Sequence, residues 1–296
     1  MERNPAVDDV GPIHSVESRR TSGRSLAPAL LLPALLLMAV FLFYPVARLV
    51  YISFFDPDPT LRNYTILVES PVYFRIILTT LEVSFLTTVF ALLLGYPVAF
   101  AMANWPRWAG TILLFVMLPL LTSILVRSFG WMVILGRSGI VNNLLIEMNI
   151  VGEPLKLIYN RTGTIIGMTH VLLPFMIMPI YAVMRTIDPA LVKAGKSLGA
   201  GNWSVFRTIY LPLTAPGVLS GVLLVFIMAV GFFVTPALLG GPSDMLIATL
   251  IHSEVQEILN WGRASSLAMM LLLVILLVLV VYQRALGLDR LWRSRN

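Results

Sequence analysis

Six apolar stretches, roughly 27–54, 76–103, 110–135, 163–187, 214–240 and 264–284, set the terms for everything this chain can fold into. Each reaches the length of about 20 residues that a helix needs to cross the hydrocarbon core of a bilayer. In lipid, backbone polar groups must be satisfied within the segment or by a neighbour, so such stretches fold as helices. They fill most of the 296 residues, of which 58% are hydrophobic and only 12% charged, and the mean hydropathy is +0.87. A soluble domain is excluded, and the class is an all-α polytopic membrane protein with six transmembrane helices. The first stretch reads as a retained span: it follows a polar tail, is too long for a signal-peptide core and ends without an Ala-x-Ala site.

Residues 1–26 mix Pro, Gly, Ser and both charge signs without periodicity, which predicts a disordered cytoplasmic tail. Beyond it lie the first span (27–54), a five-helix core (75–284) and a second cytoplasmic tail (285–296). Cytoplasmic loops retain Lys and Arg. With both termini inside, the basic residues of the two tails, Arg107, Arg185, Lys193, Lys196 and Arg207 face the cytoplasm. They outnumber Arg62, Arg75, Arg137, Lys156, Arg161 and Arg263 on the outer side. The net charge of +6 then implies anionic membrane lipid as a partner. No interleaving of basic and aromatic residues points to nucleic acid. The sequence has no cysteine, and His14, His170 and His252 stand apart, so no metal site is expected. Phosphate-binding-loop, zinc-protease and serine-hydrolase motifs are missing, so the chain reads as a protein that is not an enzyme and binds no cofactor itself.

Asp188 to Pro216 is the one long amphipathic insert. Asp188 suits a helix N-cap, Pro189 the first helical position, and Gly199 a helix stop. Leu191, Ala194, Gly195 and Leu198 then share a narrow face of small residues, with Lys193, Lys196 and Ser197 elsewhere. Asn202 is expected to cap a second helix striped by Trp203, Phe206 and Tyr210, which Leu211-Pro212 and Pro216 break. The product is a cytoplasmic helix-turn-helix between the fourth and fifth spans. Two short helices bury little alone, so the insert either meets a partner protein or lies on lipid headgroups held by its lysines.

The spacing favours the partner. Ala194, Gly199, Ile209, Leu211 and Pro212 fall in register with Glu-Ala-Ala-x3-Gly-x9-Ile-x-Leu-Pro, and this segment resembles the coupling loop of inner-membrane permease subunits of ABC importers. Lys193 stands where that family has Glu, and Gly195 where it has the second Ala. The resemblance implies the type I ABC importer permease fold, with the 188–213 loop docked in a groove of a separate ATPase subunit that carries ATP and Mg. It further implies a second permease subunit, two ATPase subunits, an extracytoplasmic solute-binding protein and a bacterial inner membrane. Val126-Arg127-Ser128-Phe129-Gly130-Trp131, Gly139-Ile140-Val141-Asn142 and the run Phe233 to Pro242 resemble permeases of the spermidine/putrescine type. They imply a polyamine or a related cationic or zwitterionic solute. A self-contained secondary carrier or channel driven by an ion gradient is the alternative, although no internal repeat supports it.

Two ionisable residues, Glu82 and Arg127, lie inside spans at similar depth below the outer face. They are expected to pair with each other or meet solute, or else to snorkel separately to headgroups. Trp131 lies one turn beyond Arg127, within range of a cation–π contact. Phe232, Phe233 and Pro236, at an interruption of span five, complete the candidate pathway, with packing as the other role for such aromatics. His170 is expected to hydrogen-bond between helices.

Overall fold

A computed structural model describes residues 26–56, 58–59 and 61–286; the tails expected at 1–26 and 285–296 lie almost wholly outside them. The described residues form helices α1 (Leu26–Phe55), α2 (Arg62–Glu69), α3 (Pro71–Asn104), α4 (Pro106–Met117), α5 (Ile124–Leu135), α6 (Ile140–Glu147) and α7 (Arg161–Met184). After them come α8 (Pro189–Ser197), α9 (Asn202–Val205), α10 (Leu211–Val230), α11 (Val234–Leu239), α12 (Ile247–Gln256) and α13 (Trp261–Leu286). Among the described residues, six helical segments are long and apolar enough to cross a membrane: Leu31–Phe55, Pro71–Asn104, Ile124–Glu147, Arg161–Met184, Asn202–Val230 and Trp261–Arg284. The first, up to Arg48, is a unit by itself; Leu35, Phe41 and Phe43 give it the all-round apolar surface of a helix made for lipid.

The third crossing differs from the single stretch expected at 110–135. α4 tightens into a 3-10 turn, Leu118–Leu121, and the chain is extended at Thr122 (φ −96°, ψ 150°) before α5 begins. The Thr122 hydroxyl donates to the Pro119 carbonyl at 2.8 Å, which satisfies a group the bend exposes. The Asn104-Trp105-Pro106 turn ends α3 and starts α4 as the sequence suggests, with Pro106 at the first helical position.

α3, α7 and α10 carry the core, built on Val83, Ala91, Met168, Met176, Ile177 and Val225. In lipid the helices gain little from apolar burial, and close backbone approach through small residues takes over. Gly217 and Gly221 form such a face on α10. A β-carbon on the first would sit 2.9 Å from the Pro179 carbonyl oxygen, and on the second 2.9 Å from the Met176 sulfur, both on α7. Pro174 and Pro179 stay inside an unbroken α7.

Two helices were not anticipated. α2 and α12 are short, and with α13 they bury Leu67, Ile247 and Leu267 as a second, smaller core. The Ile247 N–H donates to Thr80 Oγ1 of α3 at 3.0 Å, joining the two cores. Glu254, only 2% exposed, meets Arg263 at 3.2 Å where α12 turns into α13.

Candidate functional site

The hairpin between the fourth and fifth spans forms as its sequence dictates at one end and departs from it at the other. Asp188 Oδ1 accepts from the Ala190 N–H at 2.8 Å with Pro189 in the first turn. Gly199 takes φ +84°; the Ala200 N–H reaches Gly195 O at 3.1 Å and the Gly199 N–H reaches Lys196 O at 3.0 Å, a Schellman stop. Gly201, and not Asn202, caps the next helix; Asn202 is its first residue. Nor do Pro212 and Pro216 break it. The helix widens into a π turn at Phe206–Tyr210, where the Leu211 N–H bonds to Phe206 O, and then runs on as one rod, Asn202–Val230. An extra residue in the turn relieves the clash between the Pro212 ring and the preceding carbonyls, which is why the break does not occur.

The expected shared face on α8 divides. Gly195 turns inward: a β-carbon there would lie 2.8 Å from Ile209 Cδ1, which accounts for the smallest residue at that position. Leu198 is 89% exposed, and Leu191, Lys193, Ala194, Leu211 and Pro212 are also exposed. Trp203 stacks on Phe206 at 5.6 Å. Phe206 meets Tyr96 and Phe100 edge-on, and Phe100 packs on Tyr210. Tyr210 accepts from Asn104 Nδ2 at 3.2 Å, and Tyr96 shares a hydrogen bond with Thr214 at 3.0 Å. The hairpin is thereby locked to the end of α3. Lys193 and Arg185 line a cavity of about 620 Å³ beneath α8.

At the opposite end of the bundle the charged residues pair otherwise than expected. Glu82 does not meet Arg127. Its Oε1 accepts from Arg161 Nη1 at 2.7 Å, and Arg161 Nε donates to Asp244 Oδ1 at 3.1 Å. One guanidinium thus joins α3, α7 and the turn after α11. Arg161 reads as a loop residue if span four begins at 163, but Asn160 caps that helix, its Oδ1 accepting from the Gly163 N–H at 2.9 Å. That Asn is a signal the sequence did offer; Asp244, 83 residues from Arg161, left none.

Arg127 Nε and Nη1 are buried and have no hydrogen-bond partner among the described residues. The Trp131 ring meets His170 edge-on at 5.5 Å. His170 does not form the expected interhelical hydrogen bond at Nδ1, which is buried and unpartnered; the aromatic contact takes its place. Trp131 and His170 line a cavity of about 560 Å³ with Phe90 and Leu94 of α3. Span five is interrupted as expected: α10 stops at Val230, and α11 starts after Phe233. Pro236 is buried, Phe232 packs against the main core, and Phe233 lies on His252 at 4.4 Å. Gly167 of α7 gives α11 room, since a β-carbon there would meet Leu239 Cδ1 at 2.5 Å. Among the described residues no group of His, Cys, Asp and Glu could hold a metal ion.

The chain is similar to known proteins over most of its length. The spermidine/putrescine transport system permease protein PotB of Haemophilus influenzae is 37% identical over 79% of this chain and 82% of its own. PotB of Escherichia coli K12 is 34% identical over 84% and 93%. The sulfoquinovosyl glycerol transport system permease protein SmoG of Agrobacterium fabrum is 30% identical over 88% and 90%. Among solved structures, a chain of a bacterial alginate ABC transporter, crystallised with an alginate-bound periplasmic protein, superposes with a TM-score of 0.73 at 21% identity. It covers 88% of this chain and 93% of that one. Residues 26–293 match the profile of the binding-protein-dependent transport system inner membrane component, and with six helices fit to cross a bilayer the chain belongs to that family of multi-pass inner-membrane transport proteins.

Proposed function

We propose that this chain is the permease subunit of an ATP-driven importer for a polyamine such as spermidine or putrescine, or for a related cationic or zwitterionic solute. The observation that carries the reading is the likeness to PotB proteins across nearly the whole chain. In this reading both termini and the 188–213 hairpin are cytoplasmic. Leu191, Lys193, Ala194 and Leu198 meet an ATPase subunit, which binds ATP and Mg. A second permease subunit completes the pathway, a second ATPase the motor, and an extracytoplasmic binding protein delivers the solute. Glu82, Arg127, Trp131, Phe232, Phe233 and Pro236 lie along the pathway.

The exposure of Leu191, Leu198 and Trp203 supports this: three large apolar side chains left uncovered on one short hairpin mark a surface for a partner. The unbroken rod from Asn202 to Val230 would carry a push on the hairpin into the membrane without loss. The test is uptake of radiolabelled putrescine by membrane vesicles carrying the complete transporter. Uptake is expected to need ATP and the binding protein. Uptake that persists without ATP while an ion gradient stands would instead identify a secondary carrier.

A further inference from the structure

The cavity between α3, α5 and α7 has no assigned role, and its chemistry selects an occupant. It runs along α7 from Thr162 to Leu173, about 16 Å at the rise of an α-helix. Phe90 and Trp131 supply aromatic walls, and most of the remaining lining is aliphatic. His170 is the one lining side chain with a ring nitrogen that can accept a hydrogen bond; its Nδ1 is sealed, which leaves Nε2 for that task. Thr169, 5% exposed, lines the same wall, and its hydroxyl is buried without a partner. At the near end Thr162 follows Arg161, where two carboxylates share one guanidinium and leave a net negative charge.

We propose that this cavity is a transient binding site for an alkyl amine inside the permease, entered past Glu82 and Asp244. A long, mostly apolar cavity fits methylene spacers. Aromatic faces receive an ammonium by cation–π attraction, and the imidazole Nε2 can accept one of its N–H groups. No carboxylate lies in the lining, and the unpaired charge of Arg127 stands on the same helix as Trp131. The hold is therefore weak, as passage through a transport pathway requires. The proposal rests on the importer reading and deepens it by naming where the solute pauses.

The chain has no cysteine, so Ile166→Cys and Thr162→Cys, at partly exposed and exposed lining positions, each place a single thiol in the cavity of the permease. Phe85→Cys, at an exposed position of α3 outside the lining, is the control. Membranes with the complete transporter are treated with cationic aminoethyl or anionic sulfonatoethyl methanethiosulfonate, with and without spermidine. The cationic reagent is expected to react about tenfold faster at both cavity thiols, and spermidine to slow it there but not at Phe85→Cys. Preference for the sulfonate would mark a site for carboxylate-class solutes and overturn the proposal. Unreactive thiols at both positions would mark a slot filled by a lipid chain and overturn it equally. Wild-type spermidine uptake is measured alongside. Intact uptake with no protection refutes the cavity alone, whereas absent uptake refutes the polyamine reading on which it rests.

Discussion

Replacing Gly217 by Ala tests whether close backbone approach holds the core together. The added β-carbon would lie 2.9 Å from the Pro179 carbonyl oxygen and 3.0 Å from Val183 Cβ, where ordinary contact begins at 3.4 Å. Neither obstacle is the tip of a flexible side chain, so α7 and α10 must part by about 0.5 Å, the difference between 3.4 and 2.9 Å. Overpacking of this kind costs about 1–3 kcal/mol. The better helix propensity of Ala returns about 1 kcal/mol, which leaves a net loss of roughly 1 kcal/mol at the middle of that range. Gly195→Ala is the matched control. Its β-carbon would lie closer still, 2.8 Å from a neighbour, but that neighbour is the terminal Cδ1 of half-buried Ile209, which can turn aside. The propensity gain then cancels the strain, and the change is expected within about 0.5 kcal/mol of zero. Denaturation of the purified protein by graded detergent, followed by tryptophan fluorescence, gives both values. Equal stability of Gly217→Ala and the parent protein, or a larger loss for Gly195→Ala, would refute the reasoning.

Leu198→Asp is expected to leave stability unchanged, because the side chain is 89% exposed, while solute-stimulated ATP hydrolysis by the assembled transporter falls at least about tenfold; undiminished hydrolysis would detach the hairpin from the ATPase. Asp188→Ala removes the acceptor for the Ala190 N–H and should cost about 1 kcal/mol, read in the same denaturation assay. Glu82 and Arg161 are 51% and 34% exposed, so solvent screening holds their coupling to about 1 kcal/mol or less in a double-mutant cycle of Glu82→Gln and Arg161→Gln; a coupling of several kcal/mol would show a far drier site. The cycle of Glu82→Gln with Arg127→Gln should give no coupling, and a measurable one would restore the pairing that the sequence suggests.

What the sequence made legible was periodic or local. Six apolar runs gave the spans, and Asp188, Pro189 and Gly199 gave α8 with both of its ends, because a cap or a left-handed glycine acts within one turn. What it hid depends on contacts between distant segments. The partner of Glu82 lies 79 residues away, and equal depth in the bilayer does not say which helices adjoin. The continuity of the helix at Pro212 also depends on a distant contact. Proline forbids a regular α turn but not a π turn, and the aromatic packing of Phe206 and Tyr210 on α3 holds that wider turn in place.

That proline bears on how force could pass through the molecule. A break at Pro212 would have made the hairpin a hinged flap, free to move without disturbing the spans. Continuity from Asn202 to Val230, with Tyr96 tied to Thr214 and Asn104 to Tyr210, makes it one body with the core. The compliant point moves instead to the far end of the same helix, where Gly231 to Phe233 interrupt it before α11. α11 packs against α5 and α7, with Thr235 hydrogen-bonded to Ser128 at 3.1 Å, and the turn after it carries Asp244 into the ion pair with Arg161. A tilt of the rod at the hairpin would therefore bend the chain near Phe232 and Phe233. The segment that would follow is the one that carries Asp244, 83 residues from Arg161 in sequence, into the charged cluster. Stiff at the hairpin and jointed at the opposite side, span five has the form of a lever whose load is the Glu82–Arg161–Asp244 cluster.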